Sequence, residues 1–202
     1  MDQIRTFIAF DIPPDVLDHI RGIQAAIAAG GLAMRWTPPE NIHLTLQFLG
    51  NIGRKDVESV ATVMAEAARA AAPILLRARG LGVFPGLRRP RVLWIGLNGD
   101  TAGLMSLHRH LTAGLADLGF EKVTRPFKAH LTIARARGPV NPKALLSLME
   151  RLGTDASPPF SADKMILYQS ELFPAGPVYT ALKTAVLKGR PMQGDGCRQP
   201  EK

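Results

Sequence analysis

The chain of 202 residues has one cysteine, few aromatic side chains and no long apolar run. Because Cys197 has no second cysteine to pair with, an internal disulfide and a thiolate metal cluster are both excluded. Charge, Gly or Pro interrupts every apolar stretch before the roughly 20 residues that a membrane-spanning helix requires. The first residues also lack the apolar segment of a signal peptide. We therefore expect a cytoplasmic protein.

The chain also has fewer acidic than basic residues. Seventeen Asp and Glu residues stand against 25 Lys and Arg, which gives a net charge of +8 and a pI near 10.1. This excess favours a polyanionic partner such as nucleic acid, although many basic proteins are merely well solvated. A hydrophobic content of 46% is sufficient for a buried core, in one domain or two small lobes.

One short motif occurs twice. Segments 43–46 and 130–133 both read His-Leu-Thr followed by an aliphatic residue. In a β-strand the His and the Thr lie on one face and the two aliphatic residues on the other. Each copy therefore offers an imidazole beside a hydroxyl group on one face, while the aliphatic side chains of the other face anchor the strand.

The repeat extends beyond the motif at a constant offset of 87 residues, without insertion or deletion. Equivalent pairs are Phe7 and Trp94, Ile8 and Ile95, Leu17 and Leu104, Ile20 and Leu107, Ala26 and Ala113, Thr37 and Thr124, and Pro39 and Pro126. A unit of this length is too long for a solenoid repeat and predicts two related lobes around a pseudo-two-fold axis. His43 and His130 are then expected to meet on that axis.

Periodicity and turn residues predict the elements of each half. Predicted helices cover 15–29, 54–72, 101–119 and 142–152. Predicted strands cover 4–11, 34–37, 42–49, 74–82, 91–97, 129–134, 160–170 and 179–187. A turn is predicted at 38–41, a loop at 84–90 and a flexible tail at 189–202.

The neighbours of the two histidines argue against a metal site. A lone histidine in an apolar strand is usually structural, but two in identical contexts favour a shared function. Two residues from each, no His, Cys or carboxylate is available. The residues on that face are Thr45, Gln47, Thr132 and Ala134. These groups suit an oxyanion, and we predict no metal.

Two histidines without a metal can transfer protons in both directions. With a reference pKa near 6.5, a neutral and a protonated imidazole coexist near neutral pH, and each contributes roughly 10²–10⁴-fold to a rate. Hydrolysis of a phosphodiester needs a base for the attacking water and an acid for the leaving alkoxide. Threonine hydroxyls and a cationic side chain would hold the non-bridging oxygens as charge develops.

These residues resemble the two-histidine phosphoesterase superfamily, and within it the RNA 2′,3′-cyclic phosphodiesterases, also described as 2′-5′ RNA ligases. The likeness covers about residues 4–188. The segments that carry it are 5–13, 41–50, 90–96, 126–135 and 167–170. Lys128-Ala129 departs from relatives that often have Pro before the second histidine. Each His-x-Thr-x motif alone is weak, whereas the pair with these flanks is specific.

The resemblance implies a bilobal α+β fold over residues 1–188, with antiparallel sheets lining a central cleft, helices outside and no cofactor. It implies opening of a terminal 2′,3′-cyclic phosphate on RNA to a 2′-phosphate. Separately from the resemblance, we expect a monomer. His43 would protonate the leaving oxygen and His130 would activate water, although the repeat makes the two interchangeable on sequence grounds. An RNA-binding module or a strand-joining ligase is the alternative.

Further residues are assigned to phosphate and RNA binding. Thr45, Thr132 and Arg135 would hold the phosphate, but strict alternation from His130 puts Arg135 on the opposite face. Either the strand bends near Ala134 or the guanidinium reaches around its end. Candidate RNA contacts are Arg88, Arg89, Arg91, Lys128, Phe7 and Phe10, although so apolar a strand favours a core role for the two phenylalanines.

Overall fold

The two halves of the chain fold into matching sets of strands and helices in the computed structural model, which describes residues 2–121, 126–174 and 176–189. The strands are β1 Gln3–Asp11, β2 Met34–Trp36, β3 His43–Gly53, β4 Ile74–Phe84, β5 Val92–Gly99, β6 His130–Ala136, β7 Phe160–Ala162, β8 Lys164–Phe173 and β9 Gly176–Val186. The helices are α1 Pro14–Ala28, α2 Val57–Ala70, α3 Thr101–Asp117 and α4 Pro142–Leu152.

The four predicted helices are confirmed, and local signals account for the start of three of them. Pro14 opens α1, where its missing N–H costs nothing. The Asp100 carboxylate caps α3 by accepting from the Gly103 amide, and Asn141 caps α4 in the same way. None of the described helices combines the length and the apolar character needed to cross a bilayer.

The strands form one antiparallel sheet in the order β7-β4-β5-β6-β3-β1-β8-β9, with β2 paired to β6. The predicted strand 160–170 is divided between β7 and β8, while β3 and β9 are longer than predicted. The sheet divides into two lobes at the β3–β6 junction, where Leu44 pairs with Leu131. The mixed, duplicated antiparallel fold that was expected is confirmed.

The lobes are not the two halves of the sequence. Strand β4, from the first half, pairs with β5 in the second lobe. Strand β8, from the second half, pairs with β1 in the first lobe. Each half thus completes the other's sheet, and this exchange holds the two lobes together.

The constant offset of 87 residues is wrong for the first strand of each repeat. Asp11 lies opposite His43, whereas Gly96 lies opposite His130, so β1 and β5 are related by an offset of 85. The equivalent of Phe7 is consequently Val92 rather than Trp94. From Gly96 to Thr101, the first residue of α3, is five positions, whereas from Asp11 to Pro14, the first residue of α1, is three. These two extra residues restore the offset of 87 at the helices.

A β-bulge interrupts each motif strand at the equivalent position. Ala9 pairs with Thr45 and Ile8 with Gln47, which leaves Leu46 without a partner. In β6 the same irregularity falls at Ile133. A bulge shifts every later side chain to the other face of its strand. Two consecutive buried residues therefore follow each motif threonine.

The core lies between the sheet and the helices. Ile20 of α1 and Leu107 of α3 are fully buried there with the motif leucines Leu44 and Leu131. The domain boundaries 1–188 stay a prediction. Apart from Gly189, the predicted tail 189–202 lies outside the described residues, as does Thr124 of the repeat alignment.

Candidate active site

A cavity of about 610 Å³ lies where the two lobes meet. It is lined by both motif histidines, both motif threonines and two further predicted residues, namely His43, Thr45, His130, Thr132, Arg135 and Phe7. The cavity thus brings together side chains that are 87 residues apart in the sequence.

Both imidazoles are oriented by the same backbone contact. Nδ1 of His43 lies 2.9 Å from the carbonyl oxygen of Asn41, and Nδ1 of His130 lies 2.6 Å from that of Lys128. A carbonyl oxygen can only accept, so each Nδ1 carries a proton and donates it. Nε2 is therefore the nitrogen left free for chemistry in both residues.

Aromatic side chains fix the His43 ring from two sides. The Phe7 ring lies 4.7 Å from the imidazole centroid, and the Tyr179 ring meets it edge-on at 5.3 Å. Phe7 in turn stacks on Tyr168 at 5.4 Å. Although Phe7 lines the cavity, it is only 2% exposed, so its position suits support of His43 better than stacking on a base.

The His130 ring has its own aromatic neighbours. Phe84 meets it edge-on at 5.0 Å, and Trp94 lies 6.2 Å away. The Lys128 ammonium lies over the Trp94 ring at 4.2 Å. Both histidines thus sit on rigid aromatic surfaces, which limits their rotation without using a second polar partner.

Burial lowers the pKa of both histidines below the usual 6.5. For His43, the Asn41 carbonyl and the Asp11 carboxylate raise the pKa against this effect, and His130 lowers it. For His130, the Lys128 carbonyl raises the pKa and the Lys128 ammonium lowers it. The two rings share the largest cause and differ in the charges beside them.

The bulge at Ile133 explains how Arg135 reaches the cavity. Ile133 and Ala134 are both buried, after which the alternation resumes with Arg135 on the same face as His130. The strand is thus irregular near Ala134, as one of the two sequence interpretations required. The equivalent bulge in β3 turns Phe48, 62% exposed, into the same cavity.

Sequence reasoning missed three further arginines at the cavity, Arg5, Arg35 and Arg137. Arg137 could have been found by counting two residues from Arg135, and Arg5 by counting two from Phe7. Arg35 required the sheet, because β2 places it opposite Arg135. Among the described residues that line the cavity, none is Asp or Glu. The cavity wall is therefore cationic.

Several predicted RNA contacts lie elsewhere. Phe10 is 1% exposed and belongs to the core, so its assignment as an RNA contact is wrong. It alternates with Phe7 onto the helix-covered face of β1. Arg88, Arg89 and Arg91 are exposed but do not line the cavity. Lys128 does not line it either, and its ammonium lies over the Trp94 ring.

The donor set suits an anion. Imidazole, hydroxyl and guanidinium groups line the cavity. Over the described ranges, no cluster of three or more His, Cys, Asp or Glu residues is placed to hold a metal ion.

Comparison with known proteins also indicates a duplicated phosphoesterase. The family model "LigT like Phosphoesterase" matches the chain twice in succession, at residues 10–94 and 95–179. RNA 2′,3′-cyclic phosphodiesterase of Methanothermobacter thermautotrophicus is 32% identical over 181 residues, covering 90% of this chain and 97% of that protein. The protein of the same name from Aquifex aeolicus is 30% identical over 190 residues, covering 94% and 100%.

A solved structure also resembles this fold. The protein TT0787 of Thermus thermophilus superposes with a TM-score of 0.77 at 28% identity, covering 92% of this chain and 99% of that one. The chain is thus a hydrolase built as a duplicated two-histidine fold. It belongs to the LigT-like phosphoesterase family.

Proposed function

We propose that the protein hydrolyses the terminal 2′,3′-cyclic phosphate of RNA to a 2′-phosphate, without a metal ion. The observation that carries this proposal is the pair of histidines with free Nε2 atoms at one cationic cavity. Curated relatives over most of the chain bear the name RNA 2′,3′-cyclic phosphodiesterase. The substrate class is taken from those names.

The reaction uses one imidazole on each side of phosphorus. Nε2 of His130 takes a proton from water, whose oxygen attacks phosphorus. The bond from phosphorus to the 3′-oxygen breaks, and that oxygen takes a proton from Nε2 of His43. The two imidazoles end with exchanged protonation states, which solvent resets. The Nδ1 contacts hold both rings in the tautomer that this cycle needs.

Thr45, Thr132 and Arg135 hold the phosphate. Each threonine lies two residues after its histidine and lines the cavity on the same face. Their hydroxyl groups donate to the non-bridging oxygens, and the guanidinium offsets the charge that develops there.

The cavity wall favours a polynucleotide over a free phosphate ester. A cyclic phosphodiester carries one negative charge, yet Arg5, Arg35 and Arg137 line the cavity in addition to Arg135. Their guanidinium groups suit the phosphates that precede the terminal nucleotide. Phe48 and Leu172, both exposed at this cavity, offer an apolar surface for its base.

The test is hydrolysis of an oligonucleotide ending in a 2′,3′-cyclic phosphate by enzyme treated with EDTA. We expect full activity after chelation and a 2′-phosphate as the product. Loss of activity on chelation that returns with added metal would overturn metal independence. A 3′-phosphate product would overturn the choice of bond. RNA binding without turnover would favour a binding module. Reversible 2′-5′ ligation, a monomeric state and a cytoplasmic location stay predictions.

A further inference from the structure

The sheet gives the two histidines different partners. Across the β1–β3 ladder, Asp11 lies directly opposite His43. Across the β5–β6 ladder, Gly96 lies opposite His130 and offers no side chain. Directly opposed residues in an antiparallel pair hold their Cβ atoms about 4.5–5.5 Å apart. A carboxylate is thus placed beside one imidazole and is missing at the equivalent place beside the other.

The residues two positions before the histidines differ as well. Asn41 and Lys128 use the same backbone atom, their carbonyl oxygen, to orient their histidines. Their side chains differ in charge. The Lys128 ammonium lies 4.2 Å from the Trp94 ring centroid and 5.6 Å from that of Phe84. Those two rings are the ones that flank His130. The cation is thereby held close to His130.

Other polar groups near the two rings do not cancel this difference. Glu40 and the Tyr168 and Tyr179 hydroxyls share a second cavity with Asp11 and His43. The Tyr168 hydroxyl donates a hydrogen bond to the Asp11 carboxylate at 2.5 Å, so Asp11 is the acceptor in this pair. Burial raises the pKa of both tyrosines, so they stay neutral. Arg5 and Arg135 lie beside Tyr179, but the charged side chains that act on the pKa of His43 are Asp11 and His130, and the one that acts on the pKa of His130 is Lys128.

We propose that Asp11 and Lys128 assign the two catalytic roles, with Asp11 favouring His43 as the proton donor and Lys128 favouring His130 as the proton acceptor. They are positioning residues, since each acts through its histidine, and the assignment rests on the proposed function. A negative neighbour stabilises the imidazolium that must donate. A positive neighbour stabilises the neutral imidazole that must accept. The repeat makes the histidines alike, and these two charges make them different.

Two substitutions test the assignment with little change in shape. Asp11→Asn removes the charge and keeps an oxygen that can accept from Tyr168. Lys128→Asn gives His130 the residue that His43 has two positions before it, namely Asn41. The pKa of each imidazole is measured by NMR titration of the side chain in the full chain without substrate. Asp15→Asn and Arg91→Asn are matched controls, because each removes an exposed charge from outside the main cavity.

We expect Asp11→Asn to lower the pKa of His43 by about 0.5 to 1 unit, with a smaller change at His130. Lys128→Asn should raise the pKa of His130 by a similar amount, and the controls should leave both values in place. Equal shifts at both histidines, or none, in folded variants would overturn the proposal. Circular dichroism establishes folding, and Asp11→Glu, which restores the charge, should restore the titration.

A substrate with sulfur in place of the 3′-oxygen tests the roles themselves. A thiolate leaves without a proton, so the donor becomes dispensable. We expect the activity deficit of His43→Ala to shrink at least tenfold on this substrate, while that of His130→Ala persists. Rescue of His130→Ala instead would reverse the assignment. Absence of hydrolysis by the wild-type chain would contradict the proposed function, whereas the imidazole titrations remain informative about Asp11 and Lys128.

Discussion

Leu44 lies opposite Leu131 at the junction of the two lobes, and the two leucines are equivalent in the repeat. Each follows a motif histidine and precedes a motif threonine. Continuing the antiparallel register by one residue places His43 beside Thr132 and Thr45 beside His130. Each motif histidine is thus neighboured by a threonine hydroxyl from the other lobe, on opposite sides of one axis.

Replacement of either histidine should abolish most of the activity. We expect His43→Ala and His130→Ala each to lower kcat by roughly 10²-fold or more, because each removes one of the two proton carriers. Thermal unfolding should change little, since both rings line a cavity rather than the core. His110→Ala, on the exposed face of α3, is the control. Near-wild-type rates in either active-site variant would contradict the pair.

Arg135 should affect phosphate binding through its geometry as well as its charge. Arg135→Ala should lower kcat/KM by roughly 10²-fold, and Arg135→Lys should recover only part of it, because an ammonium cannot form the two parallel bonds of a guanidinium. Steady-state kinetics on a cyclic-phosphate oligonucleotide measures both. Arg109→Ala serves as the control because Arg109 is exposed on α3 and does not line the cavity. A fully active lysine variant would show that charge alone suffices.

Gln24 connects α1 to the bulge that directs Arg135. Its buried side-chain amide donates to the carbonyls of Thr37 and Ile133, both at 2.9 Å. Gln24→Leu should destabilise the fold by about 1–3 kcal/mol, since it leaves buried carbonyls without that donor. Denaturant unfolding measures the loss of stability. We also expect kcat/KM to fall, because Arg135 is no longer held toward the cavity when the bulge is disturbed. Unchanged stability would mean that the bulge does not depend on this amide.

Gly82 provides the space for the Trp94 ring. A Cβ atom at this position would lie 2.0 Å from the indole of Trp94, so the ring would have to move. Trp94 supports both His130 and Lys128, and we expect Gly82→Ala to reduce kcat more than tenfold. Gly86→Ala, where a Cβ meets no atom within 4 Å, is the matched control. Equal activity of the two variants would contradict this role for Trp94.

Stability should fall as the solution is acidified from neutral pH. Burial lowers the pKa of His43, His108 and His130 below 6.5 in the folded state. The unfolded chain therefore binds more protons in this range, so the stabilisation is present above about pH 6.5 and is lost as pH falls through the lowered values. Thermal unfolding at pH 5 and pH 7.5 should show a lower Tm at pH 5.

His108 allows that pH dependence to be divided. It stacks on Phe127 at 4.0 Å, outside the main cavity. His108→Gln should reduce the drop in Tm between the two pH values without altering the pH profile of kcat. If the difference in Tm between the two pH values is unchanged, His108 does not contribute to the pH dependence of stability.

The sequence by itself determined the helices, the duplicated motif and the two histidines that meet at one cavity. The helices were predictable because an apolar stripe and its capping residues lie within one short segment. The histidines were predictable because two identical motifs at equivalent points of a repeat outweigh the structural explanation of either one alone. The family resemblance then predicted the cleft and the roles of its residues.

Only the tertiary structure decided the strand exchange, the offset of 85 residues in the first strands and the place of Arg35 at the cavity. A β-bulge is a property of two paired strands, so the sequence of β6 could not choose between a bent strand and a long reach for Arg135. The same argument applies to Asp11, whose place beside His43 depends on the register of β1 against β3. Segments distant in the sequence become neighbours through sheet pairing, and local residue patterns do not encode that pairing.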